Sequence, residues 1–403
     1  MQTSARYQAV FELLCKIFKN QVPADVLINT YMRARKYIGA KDRRFILETT
    51  WDIIRHRLRL EFDAKSEDVR RVLLCYLQKK GEDFDLITGG TYGLEALSKE
   101  EKSWLKNLKS EPYPLNVELE CPQWLMQKID NPALVALLNQ KANVDIRANF
   151  ISPYDLKKRL EKEGLFFSLT AYSPFGLRTS ENINLNNCTA YHEGLFDIQD
   201  EACQVAALLC DVKVGEKVID YCAGAGGKTL ALCAITENRV LIEAHDVNFK
   251  RMSPIKERAR RLGATNIKLI SKLQALDYDC FIADCPCSGS GTWRRAPDLK
   301  FRTSSAHLED LQKIQSDVLQ VAYQHTKSGG RIVYMTCSVL REENEDVVEK
   351  FVNKHGDIQF FDHEKLWEKK IDVPYPFSSK KYLNFSPLLT NTDGFFFCCL
   401  KKD

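Results

Sequence analysis

Residues 217–230 read KVIDYCAGAGGKTL. The run at 217–221 has the composition of a buried strand, the next six residues are small, and helical sequence follows. Glycine lets the backbone turn sharply and approach a ligand closely, and a helix that starts there presents free amides at its N-terminus. Strand, glycine turn and helix in this order predict the first βα unit of an open α/β sheet, with a nucleotide-like ligand beyond the strand's carboxyl end.

GGKT also closes a P-loop, but G-x-x-x-x-G-K-[ST] needs glycine where Cys222 stands, which disfavours a nucleoside triphosphatase. The loop alone does not decide between a dinucleotide and S-adenosylmethionine. The next strand-like run ends Ile242-Glu243-Ala244-His245-Asp246. Asp246 suits either ribose hydroxyls or the cap of the helix that holds Arg251 and Arg261. Further runs at 267–270, 279–283, 331–335 and 395–400 alternate with helical stretches. Residues 199–403 are therefore expected to form a mostly parallel, doubly wound sheet with helices on both faces.

Upstream the character differs. Residues 121–198 mix a strand-like piece at 146–150 with a helix at 155–162, a small α+β linking subdomain. Residues 1–120 carry apolar residues at three-and-four spacing, such as Val10, Leu13, Leu14, Ile17 and Phe18, and from Asp42 a second stripe through Trp51, Ile54 and Leu58. They are expected to form an all-helical bundle, with a linker around Gly89-Gly90 and Glu111-Pro112-Tyr113-Pro114. A multidomain chain also fits the length of 403 residues. The net charge is only +4, but residues 1–80 hold 17 Lys and Arg against 9 Asp and Glu. That excess makes the helical region a candidate polyanion-facing module, the alternative being a solvated helical surface. The 14 cysteines are scattered, many inside apolar stretches, and Met1-Gln2-Thr3-Ser4 opens no basic-then-apolar leader. Free thiols in a reducing cytoplasm are expected, with no membrane span, since no run of about 18 apolar residues occurs.

Residues 284–291 read DCPCSGSG after the run at 279–283, and Thr336-Cys337-Ser338 follows the run at 331–335. Ligands of an open α/β sheet bind beyond the carboxyl ends of its strands, so Asp284, Cys287 and Cys337 are delivered to the rim of the glycine loop. Zinc would need a matching C-x-x-C or histidine pair and a redox site the C-x-x-C spacing, and Cys285-Pro286-Cys287 offers neither. Nucleophilic catalysis or packing remains; Cys210, Cys233 and Cys280 read as packing. A thiolate beside a methyl donor suits a pyrimidine. Adding it to carbon 6 makes carbon 5 an enamine-like nucleophile, after which the carbon 5 proton and the thiol must leave. That chemistry needs a nucleophile, a base or second thiol, and an acid near the ring nitrogens; Asp284, Cys287 and Cys337 are candidates for these roles.

Residues 284–298, DCPCSGSGTWRRAPD, and 335–345, MTCSVLREENE, resemble the paired cysteine motifs of the NOL1/NOP2/Sun RNA 5-methylcytosine methyltransferases. Residues 220–229 resemble their donor motif, 194–201 the segment that leads into the catalytic domain, and 393–396 the last strand. The N-terminal helices, with Ala5-Arg6 and the pattern from Asp42 to Arg55, are similar to a NusB-like RNA-binding domain, a combination found in the bacterial Sun/Fmu branch. The resemblance implies a class I (Rossmann-like) methyltransferase domain, S-adenosylmethionine as cofactor with S-adenosylhomocysteine as product, no metal, and RNA as partner. The expected substrate is 16S ribosomal RNA, transfer RNA being the alternative, and the expected enzyme is a cytoplasmic monomer. It makes Cys337 the thiolate that attacks carbon 6 and Cys287 the helper in release. Asp284 would touch the amino edge of cytosine and border the donor, with Lys228 near both. Cys222, Ala223, Gly224, Ala225, Gly226, Gly227 and Lys228 would wrap the methionine part, and Asp246 the ribose. Arg294 and Arg295 would meet phosphate or form structural ion pairs.

The chain departs from the family at several positions. Gly224 and Ala225 stand where alanine and proline are usual, and Cys285 where alanine is. The third strand ends Ile270-Ser271-Lys272, where an acid near the adenine is common; Asp277 lies close to the next strand. That departure leaves a second reading, an RNA-binding assembly factor with a vestigial catalytic domain.

Overall fold

A computed structural model describes residues 1–109, 111–181, 183, 185–273 and 277–403. Its contacts divide the chain into two units, Met1–Gln140 with Trp293–Ser304, and Lys141–Thr292 with Ser305–Asp403.

The first unit is helical. Its main helices are Thr3–Lys19, Ala24–Ala34, Ala40–Arg55, Arg57–Ala64 and Val69–Lys80. Their apolar stripes meet in one core in which Val10, Leu13, Leu14, Ile46, Val72 and Leu73 are fully buried. The expected stripe from Trp51 to Leu58 does not run through one helix. His56 leaves helical geometry (φ −106°, ψ 25°) and a new helix starts at Arg57. The Glu120 carboxylate accepts the amides of Leu58 (2.8 Å) and Arg59 (3.2 Å), capping a helix that lacks a local cap. Residues 121–140, expected to open the α+β subdomain, fall instead with this unit, because Arg55 donates to the carbonyls of Asn139 and Gln140. The segment Trp293–Ser304 is held by the Ala24 amide on Asp298 (3.0 Å), Arg302 on the Gln21 carbonyl (2.9 Å) and buried Lys300 on Asn139 (2.8 Å).

The second unit holds two sheets. The smaller is antiparallel in the order β2-β3-β1-β4, from β1 (Val144–Ala148), β2 (Ser168–Leu169), β3 (Gly176–Thr179) and β4 (Phe196–Ile198). With the helix Pro153–Glu161 it forms the expected α+β element. The larger contains β5 (Val218–Asp220), β6 (Ile242–His245), β7 (Ile267–Ile270), β8 (Tyr278–Asp284), β9 (Thr326–Thr336), β10 (Ile358–Phe360), β11 (Leu383–Phe385) and β12 (Phe395–Lys402). The order is β10-β12-β9-β8-β5-β6-β7, with β11 also on β12. Strands β5 to β9 are parallel, and β12 runs antiparallel to β9.

Side chains alternate across this sheet into two cores, as strands covered on both faces require. Val218, Cys280, Ile282, Val333 and Phe397 lie on one face, and Ile219, Phe281, Ala283, Ile332 and Phe396 on the other. The connections reverse direction between β5 and β8, the kind of switch point at which an open α/β sheet is expected to bind its ligand. Among the described residues no helix is long and apolar enough to cross a membrane.

Candidate active site

The glycine loop is braced from both neighbouring strands. The Tyr221 amide donates to the Ile282 carbonyl (2.9 Å) and the Ala223 amide to the His245 carbonyl (2.8 Å). Gly224 and Gly226 take φ of +50° and +83°, and a Cβ on Gly226 would come within 2.7 Å of Ile255. Gly226 therefore needs glycine, and Gly224 takes a left-handed conformation that glycine adopts most readily. Asp246 is buried and binds the loop itself, accepting the amides of Gly224 (3.0 Å) and Asn248 (2.9 Å) and pairing with Arg251 (3.2 Å). It does not cap the following helix, which begins only at Ile255 after Pro254. Asp220, fully buried at the end of β5, accepts the Thr229 amide (3.1 Å) and hydroxyl (2.6 Å). Burial pushes its carboxyl up to about 6 against the pull of the Thr229 hydroxyl, with Asp284 adding to the rise. Its other oxygen has no hydrogen-bond partner.

Lys228 lies in the first turn of the helix Gly227–Ile235 and points its ammonium at Asp284 Oδ2 (3.1 Å) and over the ring of Phe395 (4.5 Å). Burial works against its charge, but Asp284 and the thiol of Cys203 outweigh it, so the lysine holds its proton more tightly than usual. Sequence reasoning did not single out Cys203. No local pattern marks it, since it reaches Lys228 from the separate helix Glu201–Leu209.

Strands β8 and β9 pair with Asp284 opposite Met335, and the ladder extends to the Cys285 amide on the Met335 carbonyl (2.9 Å). The chain then delivers Cys287 from one strand and Cys337 from the other with their sulfurs 3.3 Å apart. The hydrogen bond to Cys337, then burial and the nearby charge of Glu343, raise the Cys287 thiol well above its ordinary range. Either sulfur can donate in this contact.

Beneath the thiols lies a buried network that sequence reasoning missed. The Glu343 carboxylate accepts from the Ser288 amide (2.8 Å), the Ser338 hydroxyl (2.6 Å) and Gln315 (3.1 Å). One signal was present, the acidic run Glu342 to Glu345, but nothing in such a run identifies the one buried acid. Other expected residues lie elsewhere. Cys285 is buried against Cys222, which with burial raises its thiol, outside the reactive pair. Asp277 pairs with Lys217 (2.5 Å) at the start of β5, the amino end of the sheet, and so cannot serve the carboxyl-end crevice. Arg294 is buried and Arg295 exposed, which fits a structural role for the first. Among the described residues no cluster of three or more acids, histidines or cysteines suits a metal ion.

A family model described as 16S rRNA methyltransferase RsmB/F matches residues 207–401. Over these residues the chain is similar to that family. A relative called probable ribosomal RNA small subunit methyltransferase B, from Synechocystis sp., is 27% identical over 99% of both chains. A Bacillus subtilis protein with the same description is 33% identical over 53% of this chain and 49% of its own. The solved structure of PH0851 is similar in fold, with a TM-score of 0.78 and 22% identity over 100% of this chain and 99% of that one. The family match contains the glycine loop, Asp246, Asp284 and both thiols of the 3.3 Å pair.

Proposed function

We propose that the protein is an S-adenosylmethionine-dependent RNA cytosine-5 methyltransferase that modifies 16S ribosomal RNA. The observation that carries the reading is the pair of sulfurs 3.3 Å apart, on the loops that follow two neighbouring parallel strands at the rim that holds the glycine loop. The family match over residues 207–401 and the description of the Synechocystis relative support it.

Cys337 is the nucleophile. In the proposed reaction it attacks as the thiolate, with the Cys287 thiol 3.3 Å away as its hydrogen-bond partner. Attack on carbon 6 shifts the C5=C6 electron pair to carbon 5, and Asp284 at the amino edge with Lys228 beside it steadies the charge that spreads over the ring. The target base must leave its stack to meet the thiolate. When bound, S-adenosylmethionine supplies an electrophilic methyl group. In release the carbon 5 proton passes to water, its bond pair restores C5=C6, and the carbon–sulfur pair returns to Cys337. The Cys287 thiol stabilises that departing thiolate through the same hydrogen bond.

The chain's residues fit the donor. A Cβ added to Gly227 meets nothing within 4 Å, so there is room beside the loop's backbone, and the unpartnered oxygen of Asp220 is an acceptor suited to a ligand with a cationic group. Cys222 to Gly227 would hold the methionine part, with Lys228 and Asp284 at the reacting end. Asp246 would reach the ribose through lone pairs its amide donors leave free. The helical unit is proposed to be a NusB-like module that meets RNA phosphates in a salt-dependent way, through exposed cations such as Arg33, Lys36 and Lys41. A cytoplasmic monomer completes the proposal.

Methyl-label transfer to unmodified 16S RNA, with bisulfite sequencing of ribosomal and transfer RNA with and without the gene, tests the reading. A gene-dependent 5-methylcytosine in 16S RNA is expected. Modification of transfer RNA alone would move the substrate, RNA binding without transfer would favour the assembly-factor reading, and no changed cytosine anywhere would overturn the enzyme.

A further inference from the structure

We propose that Glu343 is a positioning residue that holds Cys287 in place for release of the methylated base; the inference rests on the cytosine-5 reading above. Glu343 is fully buried, and a carboxylate taken out of water persists only when its lone pairs are filled. Here they are filled by the Ser288 amide (2.8 Å) and hydroxyl (2.5 Å), the Ser338 hydroxyl (2.6 Å) and Gln315 (3.1 Å). Ser288 directly follows Cys287, and Ser338 directly follows Cys337.

The two loops depend on this carboxylate unequally. The Cys337 loop has anchors that do not pass through the Glu343 side chain. The Gly291 amide donates to the Cys337 carbonyl (3.0 Å), Asn344 donates to the Ser338 carbonyl (3.0 Å), and the Leu340 amide to the Ser338 hydroxyl (3.0 Å). On the Cys287 side, the Ser288 amide and the short bond from its hydroxyl both end on Glu343. Gln315, which supports the Pro286 carbonyl (2.9 Å), is itself steadied by the same carboxylate. Further along, the Cys287 loop is tied to the Cys337 loop by the Gly291 bond and by Ser290, whose hydroxyl lies 2.8 Å from that of Ser338 and accepts the Val339 amide (2.9 Å). Losing the carboxylate therefore loosens the residues beside Cys287 more than those beside Cys337. Attack and methylation, which need Cys337, survive one turnover. Expulsion of Cys337, which needs the Cys287 thiol 3.3 Å away, does not keep pace.

The test uses the full-length protein, its RNA and labelled S-adenosylmethionine, following label in RNA during the first turnover, denaturant-stable protein–RNA adduct, and steady-state turnover. Glu343→Ala is expected to methylate once, accumulate methylated adduct, and turn over at least about tenfold more slowly, equivalent to about 1.4 kcal/mol on the release barrier. Glu343→Gln, which keeps an acceptor for the Ser288 amide, should restore most of the release. Ser288→Ala, which removes only the hydroxyl on the Cys287 side, should give the adduct in milder form and decides the matter if Glu343→Ala does not fold. Wild-type turnover in a folded Glu343→Ala, or in Ser288→Ala when that variant decides, overturns the proposal. So does joint loss of first-turnover label and adduct, the mark of a merely structural role. Cys287→Ala and the unaltered protein separate this from failure of the parent reading. If the unaltered protein labels no cytosine and Cys287→Ala leaves no adduct, cytosine-5 chemistry itself has failed.

Discussion

Gly291 stands where the two thiol loops meet the start of the last strand, and Gly291→Ala should be among the most damaging single-methyl additions in the chain. Its amide donates to the Cys337 carbonyl (3.0 Å), and its carbonyl accepts the Gly394 amide (2.9 Å). A Cβ built on it would lie 2.0 Å from the Gly394 carbonyl oxygen, well inside the 3.0 Å that real Cβ contacts keep. The obstruction is backbone, so no side chain can rotate away, and relief requires separating the loops. Two backbone hydrogen bonds at about 1 kcal/mol each are at risk, and overpacking adds roughly 1–3 kcal/mol. The expected loss is therefore about 3–5 kcal/mol, at the upper end for a point substitution. Denaturant unfolding of the full-length chain measures it, with methyl transfer assayed where the variant remains folded. Gly227→Ala is the control, because an added Cβ there meets nothing within 4 Å. A helix residue of this kind should gain up to about 1 kcal/mol, whatever happens to donor affinity. The reasoning is refuted if Gly291→Ala unfolds within about 1 kcal/mol of the parent or if Gly227→Ala costs as much. Gly394→Ala strikes the same contact from the other side, so the double variant should cost less than the sum of the two.

Cys337→Ala should abolish methyl transfer, whereas Cys287→Ala should trap a covalent protein–RNA adduct visible on a denaturing gel; the reverse pattern would exchange the two roles. Lys228→Met keeps the apolar contact with Phe395 but removes the charge 3.1 Å from Asp284, and methyl transfer should fall at least about a hundredfold; an unchanged rate would remove Lys228 from the chemistry. His363 is fully buried, with one ring nitrogen on the Lys380 carbonyl (2.8 Å) and the other accepting the Cys399 amide (2.8 Å). Burial pushes it from 6.5 down to about 4. Its contribution is present above pH 6.5 and lost as pH falls through 4. Unfolding free energy should drop by up to about 3 kcal/mol across that window, and His363→Gln should flatten that part of the profile.

Much of the larger sheet was legible because apolar runs alternate with helical stretches, and β5, only three residues long, is marked by the glycine turn after it. The run expected at 267–270 is β7, Ile267–Ile270, residue for residue, and 279–283 lies inside β8. The short β10 and β11, Ile358–Phe360 and Leu383–Phe385, were not. Three residues are too few to establish an alternating pattern, and both exist because β12 offers them a paired edge. The break at His56 was invisible for a related reason: Glu120, which caps the new helix, comes from more than sixty residues away. Asp246 was legible as an important acid, but residue type alone could not reveal that its oxygens brace the glycine loop.

The thiols show where sequence and fold divide the work. The motifs single out two candidate cysteines, yet nothing in either motif says that they touch. Their meeting depends on the parallel register that sets Asp284 opposite Met335. From there one chain needs three residues to reach Cys287 and the other two to reach Cys337. A slip of one position between β8 and β9 would move one thiol along the strand axis by about 3.3 Å, a shift as large as the sulfur separation of 3.3 Å itself and enough to break the contact. Strand pairing alone is a coarse ruler for such a contact. The buried serines and Glu343 bind the two loops beyond the last ladder bonds, where the register no longer constrains them. In the proposed chemistry one sulfur attacks and leaves while the other stays beside it, and the spacing of the pair then rests on a residue outside the pair.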